Sequence, residues 1–265
     1  MKQRQLLYSA SYLPLAENHQ HQFAQSQALR IYRSNSIYSF IPKNACTTMR
    51  LSLAIANGCI KSEADFKWIR HNSNTFTTDL PSLIQADYTF VILRCPFARV
   101  ASAYLDKIVQ MKPLALKLYN TINKAVEIEN MSFRCFVNSI TQANVLRSDT
   151  HWRPQTDFLV YEEYDDYFNL ETFATAKSKI ESNALIKIFD ARKPYNHSLS
   201  HYALVNDGHF ADTLPGTILA MMKSGQVPTP SALYDDELAT KVYETYKDDI
   251  ALYKSLFGDK NLMFS

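Results

Sequence analysis

Glycine is scarce in this chain of 265 residues: there are five, at Gly58, Gly208, Gly216, Gly225 and Gly258. No two are spaced as G-x-G-x-x-G or as G-x-x-x-x-G-K-[ST], so neither a dinucleotide-binding turn nor a Walker-type loop finds support. Cysteine is equally sparse. Cys46, Cys59, Cys95 and Cys135 lie far apart with no C-x-x-C, which excludes a disulfide scaffold and reads as reduced thiols in a cytoplasmic protein. Neither sign of charge is in excess. With 28 Lys plus Arg against 26 Asp plus Glu, a net +2 argues against a nucleic-acid partner but leaves room for a local basic pocket. No stretch is apolar for long enough to be a signal peptide or a membrane span. We therefore expect a soluble protein, with peripheral membrane association left open.

A hydrophobic content of 46% and a charged content of 20% place the chain with ordinary folded proteins, and its length suffices for one core. The expectation is a single domain over 1–265, with the polar, Gln-rich residues 1–34 as an N-terminal extension. Ile37 to Ile41 is a β-rich run ended by Pro42, hence a strand. Thr47 and Thr48 can cap a helix over about 49–57, which Gly58 would end. Tyr88 to Leu93 is almost wholly apolar, as in strands covered on both faces. Pro96 then opens a helix with apolar Phe97, Val100, Ala101, Tyr104, Leu105 and Ile108, and with Arg99, Ser102 and Asp106 on the opposite face. Two strand–loop–helix units predict an α/β fold, a mainly parallel central sheet flanked by helices. Further on, the pattern predicts helices over about 113–140, a short strand at 165–170 and a helix to about Ile180. It then predicts mostly loop over 191–230 and one amphipathic closing helix from about Asp235 to Phe257.

Chemistry concentrates at two strand ends. Ile41-Pro42-Lys43-Asn44-Ala45-Cys46-Thr47-Thr48-Met49-Arg50 runs from a strand through a tight loop into a helix. Backbone N–H groups at a helix start attract anions, and a lysine and two hydroxyls in the same turn strengthen that. The alternative is a solvated Lys43 and threonines that serve only as caps. Leu93-Arg94-Cys95-Pro96-Phe97-Ala98-Arg99-Val100-Ala101-Ser102-Ala103-Tyr104 puts Arg94 at the carboxyl end of a buried strand, where open α/β sheets bind ligands. Arg94 and Ser102 together suit a phosphate, the alternative being an ion-paired arginine and a surface serine.

The first of these segments resembles the 5′-phosphosulfate loop of sulfotransferases, P-K-x-[GA]-[SCT]-T, in the form of the Golgi chondroitin- and dermatan-type carbohydrate sulfotransferases. The second resembles their 3′-phosphate motif, R-[DE]-P-F-x-R-x-x-S-A-[YF], with Cys95 where an acid is usual. His151-Trp152-Arg153-Pro154-Gln155 is similar to H-W-x-P-[QV], Tyr164 to Glu171 to Y-D-x-I-x-x-x-E, and Tyr234 to Asp249 to the family's closing helix. Thr48 and Met49 depart from the usual Asn and Trp, and with no apolar stretch long enough to span a bilayer the expectation is a member without the Golgi enzymes' membrane anchor.

The resemblance implies a P-loop-like sulfotransferase fold and a donor, 3′-phosphoadenosine 5′-phosphosulfate, used without a metal. It also implies a hydroxyl acceptor on a carbohydrate or another molecule. It assigns Lys43, the amides of Asn44, Ala45 and Cys46, and Thr47 and Thr48 to the 5′-phosphosulfate, with Lys43 also neutralising the leaving oxygen. Arg94 and Ser102 fall to the 3′-phosphate. Relatives often keep a catalytic histidine between the two motifs, which points to His71 as general base. His151 and Arg153 would then orient donor or acceptor, with His151 the second candidate for the base. A metal site at His197, His201 and His209 finds no partner carboxylate or thiolate in a loop-like segment. Two rivals use the same residues differently: a non-catalytic nucleotide-binding protein of this fold, which need keep neither histidine, and a small-molecule kinase. The kinase needs a glycine-rich loop with magnesium-binding acids beside it, and neither is found.

Overall fold

The computed structural model describes residues 3–72, 74–191 and 202–264. In chain order the elements are α1 (His19–Ser26), β1 (Ala28–Ile31), β2 (Ser36–Ser39), α2 (Cys46–Ala56), α3 (Leu80–Ile84) and β3 (Tyr88–Leu93). There follow α4 (Pro96–Ala103), α5 (Pro113–Thr121), α6 (Phe133–Ile140), α7 (Ala143–Leu146), β4 (Asp166–Asn169) and α8 (Phe173–Asn183). The last are β5 (Ala203–Val205), α9 (Pro215–Lys223), β6 (Gln226–Pro228), α10 (Asp236–Thr245) and α11 (Lys247–Phe257). The chain forms two compact units, one of Met1–Leu93 with Gln155–His197 and the other of Arg94–Pro154 with Ser198–Ser265.

The first unit holds a four-stranded sheet in the order β1-β2-β3-β4, flanked by helices. β2, β3 and β4 are parallel, with Ser39 opposite Val91 and Leu93 opposite Asn169, while β1 runs antiparallel to β2. This is the expected mixed α/β architecture. Every residue of β3 is buried because both faces of the central strand are covered. Phe90 stacks on Tyr38 at 5.1 Å and on Tyr88 at 5.5 Å, and meets Phe168 edge-on at 6.2 Å. Each such ring contributes about 1.5–3 kcal/mol by burial.

The expected extension over 1–34 contributes to this unit. β1 is a strand of the sheet, and Arg4 is buried, donating to Ala86 O (3.0 Å) and Asp87 O (2.8 Å) and pairing with Asp165 at 2.6 Å. A polar, aperiodic stretch conceals this, because a four-residue strand is too short to show a period.

The second unit is mainly helical, with a parallel pair β5–β6 joined through α9. The prolines and glycines of 191–230 therefore do not mark loop throughout: Pro215 opens α9 at its first turn, and Ile218 and Met222 are buried. The expected closing helix is two helices, α10 and α11, broken at Tyr246, whose backbone leaves the helical region (φ −109°, ψ 27°) and whose hydroxyl donates to Trp152 O at 2.5 Å. α4 carries a larger correction. Arg99, expected on its polar face, is 1% exposed and donates to Arg153 O (2.7 Å) and Thr150 O (2.9 Å).

Candidate functional site

Between β2 and α2 the chain must turn sharply without a glycine. It does so with Lys43 at φ 73° and Ala45 at φ 56°, both left-handed, a conformation that costs non-glycine residues about 1–2 kcal/mol each. Asn44, between them, offsets that strain. Its side chain is fully buried, and Nδ2 donates to Ile92 O (2.9 Å) and Gln155 Oε1 (2.6 Å), while its backbone N–H donates to Ile41 O (3.2 Å). The loop is thereby tied to β3 beside it.

α2 begins at Cys46, one turn earlier than expected, because Thr47 and Thr48 lie inside it rather than before it. Its N-cap is Ala45, which has no side chain able to bond the first N–H groups. The first intrahelical bond is Met49 N–H to Ala45 O (3.0 Å), so the amides of Cys46, Thr47 and Thr48 precede the helical ladder. Alternating backbone conformations before an uncapped helix start form a concave nest of N–H groups suited to an anion. Half-buried Lys43, Cys46, Thr47 and Thr48 surround it, and Arg50 stacks its guanidinium on the Phe40 ring at 3.9 Å. Thr48 Oγ1 also accepts from Ala191 N–H at 3.4 Å and Ser52 Oγ from Phe189 N–H at 3.0 Å, so residues 189–191 run along α2.

No hydrogen bond or ring contact among the described residues joins His71 to this loop. His71 follows the helical turn Glu63–Arg70, is exposed, and among the described residues its imidazole has no hydrogen-bond partner. Trp68, three residues earlier, packs on Phe76 (5.9 Å), which packs on Tyr32 (6.3 Å) in the β1–β2 turn. That turn lies at the amino edge of β2, where Asn57 beyond the far end of α2 also bonds, whereas Lys43 leaves the carboxyl edge.

In the second unit, Arg94 directly follows the last residue of β3, and half-buried Ser102 sits on α4. α4 also carries Arg99, whose guanidinium grips the carbonyls on either side of His151 and Trp152. The segment Arg94–Tyr104 and the H-W-R-P segment are thus brought together by a buried arginine. Trp152 is buried and its indole N–H donates to Val145 O at 3.0 Å. His151 Nδ1 lies 2.8 Å from Asp149 Oδ1, while Asp149 Oδ2 accepts from Lys117 Nζ at 2.8 Å. Burial pushes the Asp149 carboxyl up, but the bonds from His151 and Lys117 outweigh it and hold it at about 2.

The side-chain clamp of Asn44, the burial of Arg99 and the pairing of Asp149 with His151 are not evident in the sequence. Only Asp149, two residues before His151, left a local trace, and an acid at that spacing is too common to stand out. Among the described residues no cluster of three or more His, Cys, Asp or Glu side chains is arranged to hold a metal. His197 and His201 lie outside the described residues. No helix among the described residues is long and apolar enough to cross a membrane.

A family model described as the sulfotransferase family matches residues 28–255. No curated protein and no solved structure matches the chain.

Proposed function

The chain belongs to the sulfotransferase family, and from that premise we propose that it moves a sulfuryl group from 3′-phosphoadenosine 5′-phosphosulfate to a hydroxyl of a carbohydrate. The observation that carries the donor assignment is the glycine-free nest at Lys43–Ala45 opening onto the uncapped start of α2. An anionic phosphosulfate suits that nest, and Lys43, Thr47 and Thr48 add charge and hydroxyls to it. Arg94 and Ser102 take the 3′-phosphate, where a guanidinium gives paired, charge-assisted bonds.

In the reaction the acceptor oxygen forms a bond to sulfur. The bond from sulfur to the bridging oxygen breaks, its electron pair staying on the departing 5′-phosphate. Sulfuryl transfer of this kind depends on in-line positioning and charge stabilisation, and Lys43 offsets charge growing on the leaving oxygen. The acceptor's proton goes to a base, for which a histidine is suited near neutral pH.

Thermal shift with the product nucleotide tests the donor. 3′-Phosphoadenosine 5′-phosphate at a hundredfold excess over its Kd adds about 2.7 kcal/mol to stability. AMP, without the 3′-phosphate, shifts Tm much less. Equal shifts from the two nucleotides remove Arg94 and Ser102 from this role. Mass spectrometry of an acceptor screen with labelled donor then identifies the hydroxyl.

A further inference from the structure

His151 is the one histidine of the second unit's motif segment whose ring the fold orients through a carboxylate. Asp149 Oδ1 accepts from both the His151 backbone N–H (3.0 Å) and Nδ1 (2.8 Å). The Asp149 side chain is 9% exposed and that of His151 26%, so the pair is sheltered yet the ring still reaches solvent. The backbone on either side cannot swing. Arg99 holds Thr150 O and Arg153 O, Tyr246 donates to Trp152 O, and the Trp152 indole is bonded to Val145 O. An ionised carboxylate only accepts, so Nδ1 carries the proton of the neutral ring and Nε2 keeps the lone pair.

We propose that His151 takes the acceptor's proton and that Asp149 is the positioning residue that sets its tautomer and ring orientation. The proposal rests on the sulfuryl-transfer reading above. As the acceptor oxygen bonds to sulfur, its proton passes to Nε2, the imidazolium is stabilised by Asp149, and the donor's bridging oxygen leaves with the electron pair. His71 does not share this geometry, being exposed and without a side-chain partner among the described residues. The charged groups about the segment include Asp149, Lys117 of α5, Arg99 of α4 and Arg153. Asp249 of α11 lies with Arg99 in the field at Tyr246.

The test uses the full chain as wild type, His151→Gln and Asp149→Asn, with melting curves to establish that each variant folds. Long-range proton–nitrogen correlation spectra of the imidazoles should find wild-type His151 protonated at Nδ1 and Asp149→Asn a mixture of tautomers. With radiolabelled donor and a panel of methyl glycosides as acceptors, His151→Gln should lower kcat by ~10²–10⁴-fold. Asp149→Asn should lower kcat with KM little changed and move the acidic limb of kcat/KM to lower pH, since the neighbouring negative charge is gone. A merely structural Asp149 would leave that limb in place. The proposal is overturned if wild-type His151 is protonated at Nε2, or if folded His151→Gln keeps wild-type kcat while His71→Ala loses it. Absence of turnover by the wild type with every acceptor would count against sulfuryl transfer itself, and the tautomer spectra would still decide for or against Asp149.

Discussion

Replacing Asn44 by alanine should loosen the anion loop without touching any group proposed to meet the donor's charge through a side chain. Asn44 Nδ2 serves two buried acceptors, Ile92 O and Gln155 Oε1. A buried polar group left without its partner costs about 1–3 kcal/mol, so the variant should lose about 2–4 kcal/mol once neighbours relax. For a chain of this size that corresponds to a Tm lower by about 4–16 °C.

Binding should fall as well. Lys43 and Ala45 sit in left-handed conformations, and the clamp is what keeps them there. Released, the loop gains about 2–4 kcal/mol by relaxing, which depopulates the binding shape. Calorimetric titration with 3′-phosphoadenosine 5′-phosphate should therefore show affinity weaker by about 30- to 10³-fold. Asn44→Asp should be worse than Asn44→Ala, since a carboxylate would face two acceptors and add negative charge to an anion site. Ala45→Gly is the counterpart: glycine accepts φ 56° without strain, so stability should stay within about 1 kcal/mol of wild type and binding should persist. An Asn44→Ala protein with wild-type Tm and wild-type nucleotide affinity would refute the clamp.

Lys43→Ala should lower turnover far more than affinity for the product nucleotide, and Arg94→Ala the reverse; the same pattern in steady-state kinetics and calorimetry for both would undo the division between charge stabilisation and binding. Arg99→Met should destabilise by about 3–5 kcal/mol in urea unfolding, because Thr150 O and Arg153 O are left in a buried setting without their charged donor; a change under about 0.5 kcal/mol, as at an ordinary surface site, would contradict its burial. Burial lowers the His21 imidazole below 6.5, with the Gln25 side chain opposing part of that. The unfolded chain therefore takes up this proton first. The contribution is fully present above about pH 6.5 and is lost as pH falls through that value toward the folded pKa. His21→Leu should flatten the fall in stability between pH 7.5 and 5, and an unchanged slope would show that His21 is not responsible.

Local patterns in the sequence were sufficient for the parallel core. Tyr88–Leu93 is apolar at all but Thr89, as in a strand covered on both faces, so β3 was legible to the residue. β2, α2 and α4 followed from their flanking Pro42, Gly58 and Pro96, which act through backbone geometry alone. The family, too, could be read from the order of short motifs, and the match over residues 28–255 agrees with it.

What required tertiary structure were interactions between residues far apart in sequence. Arg4 and Asp165, Asn44 and Gln155, and Arg99 and Arg153 satisfy one another's buried polar groups across separations that no local period encodes. Arg99 reads as a surface residue because helical periodicity assigns a charge to water. The fold buries it instead, where two carbonyls need a donor. Position along the chain points to His71, since order is all a motif conveys. That an imidazole is oriented by a carboxylate depends on where Asp149 and Lys117 meet in space, and the fold shows that arrangement at His151.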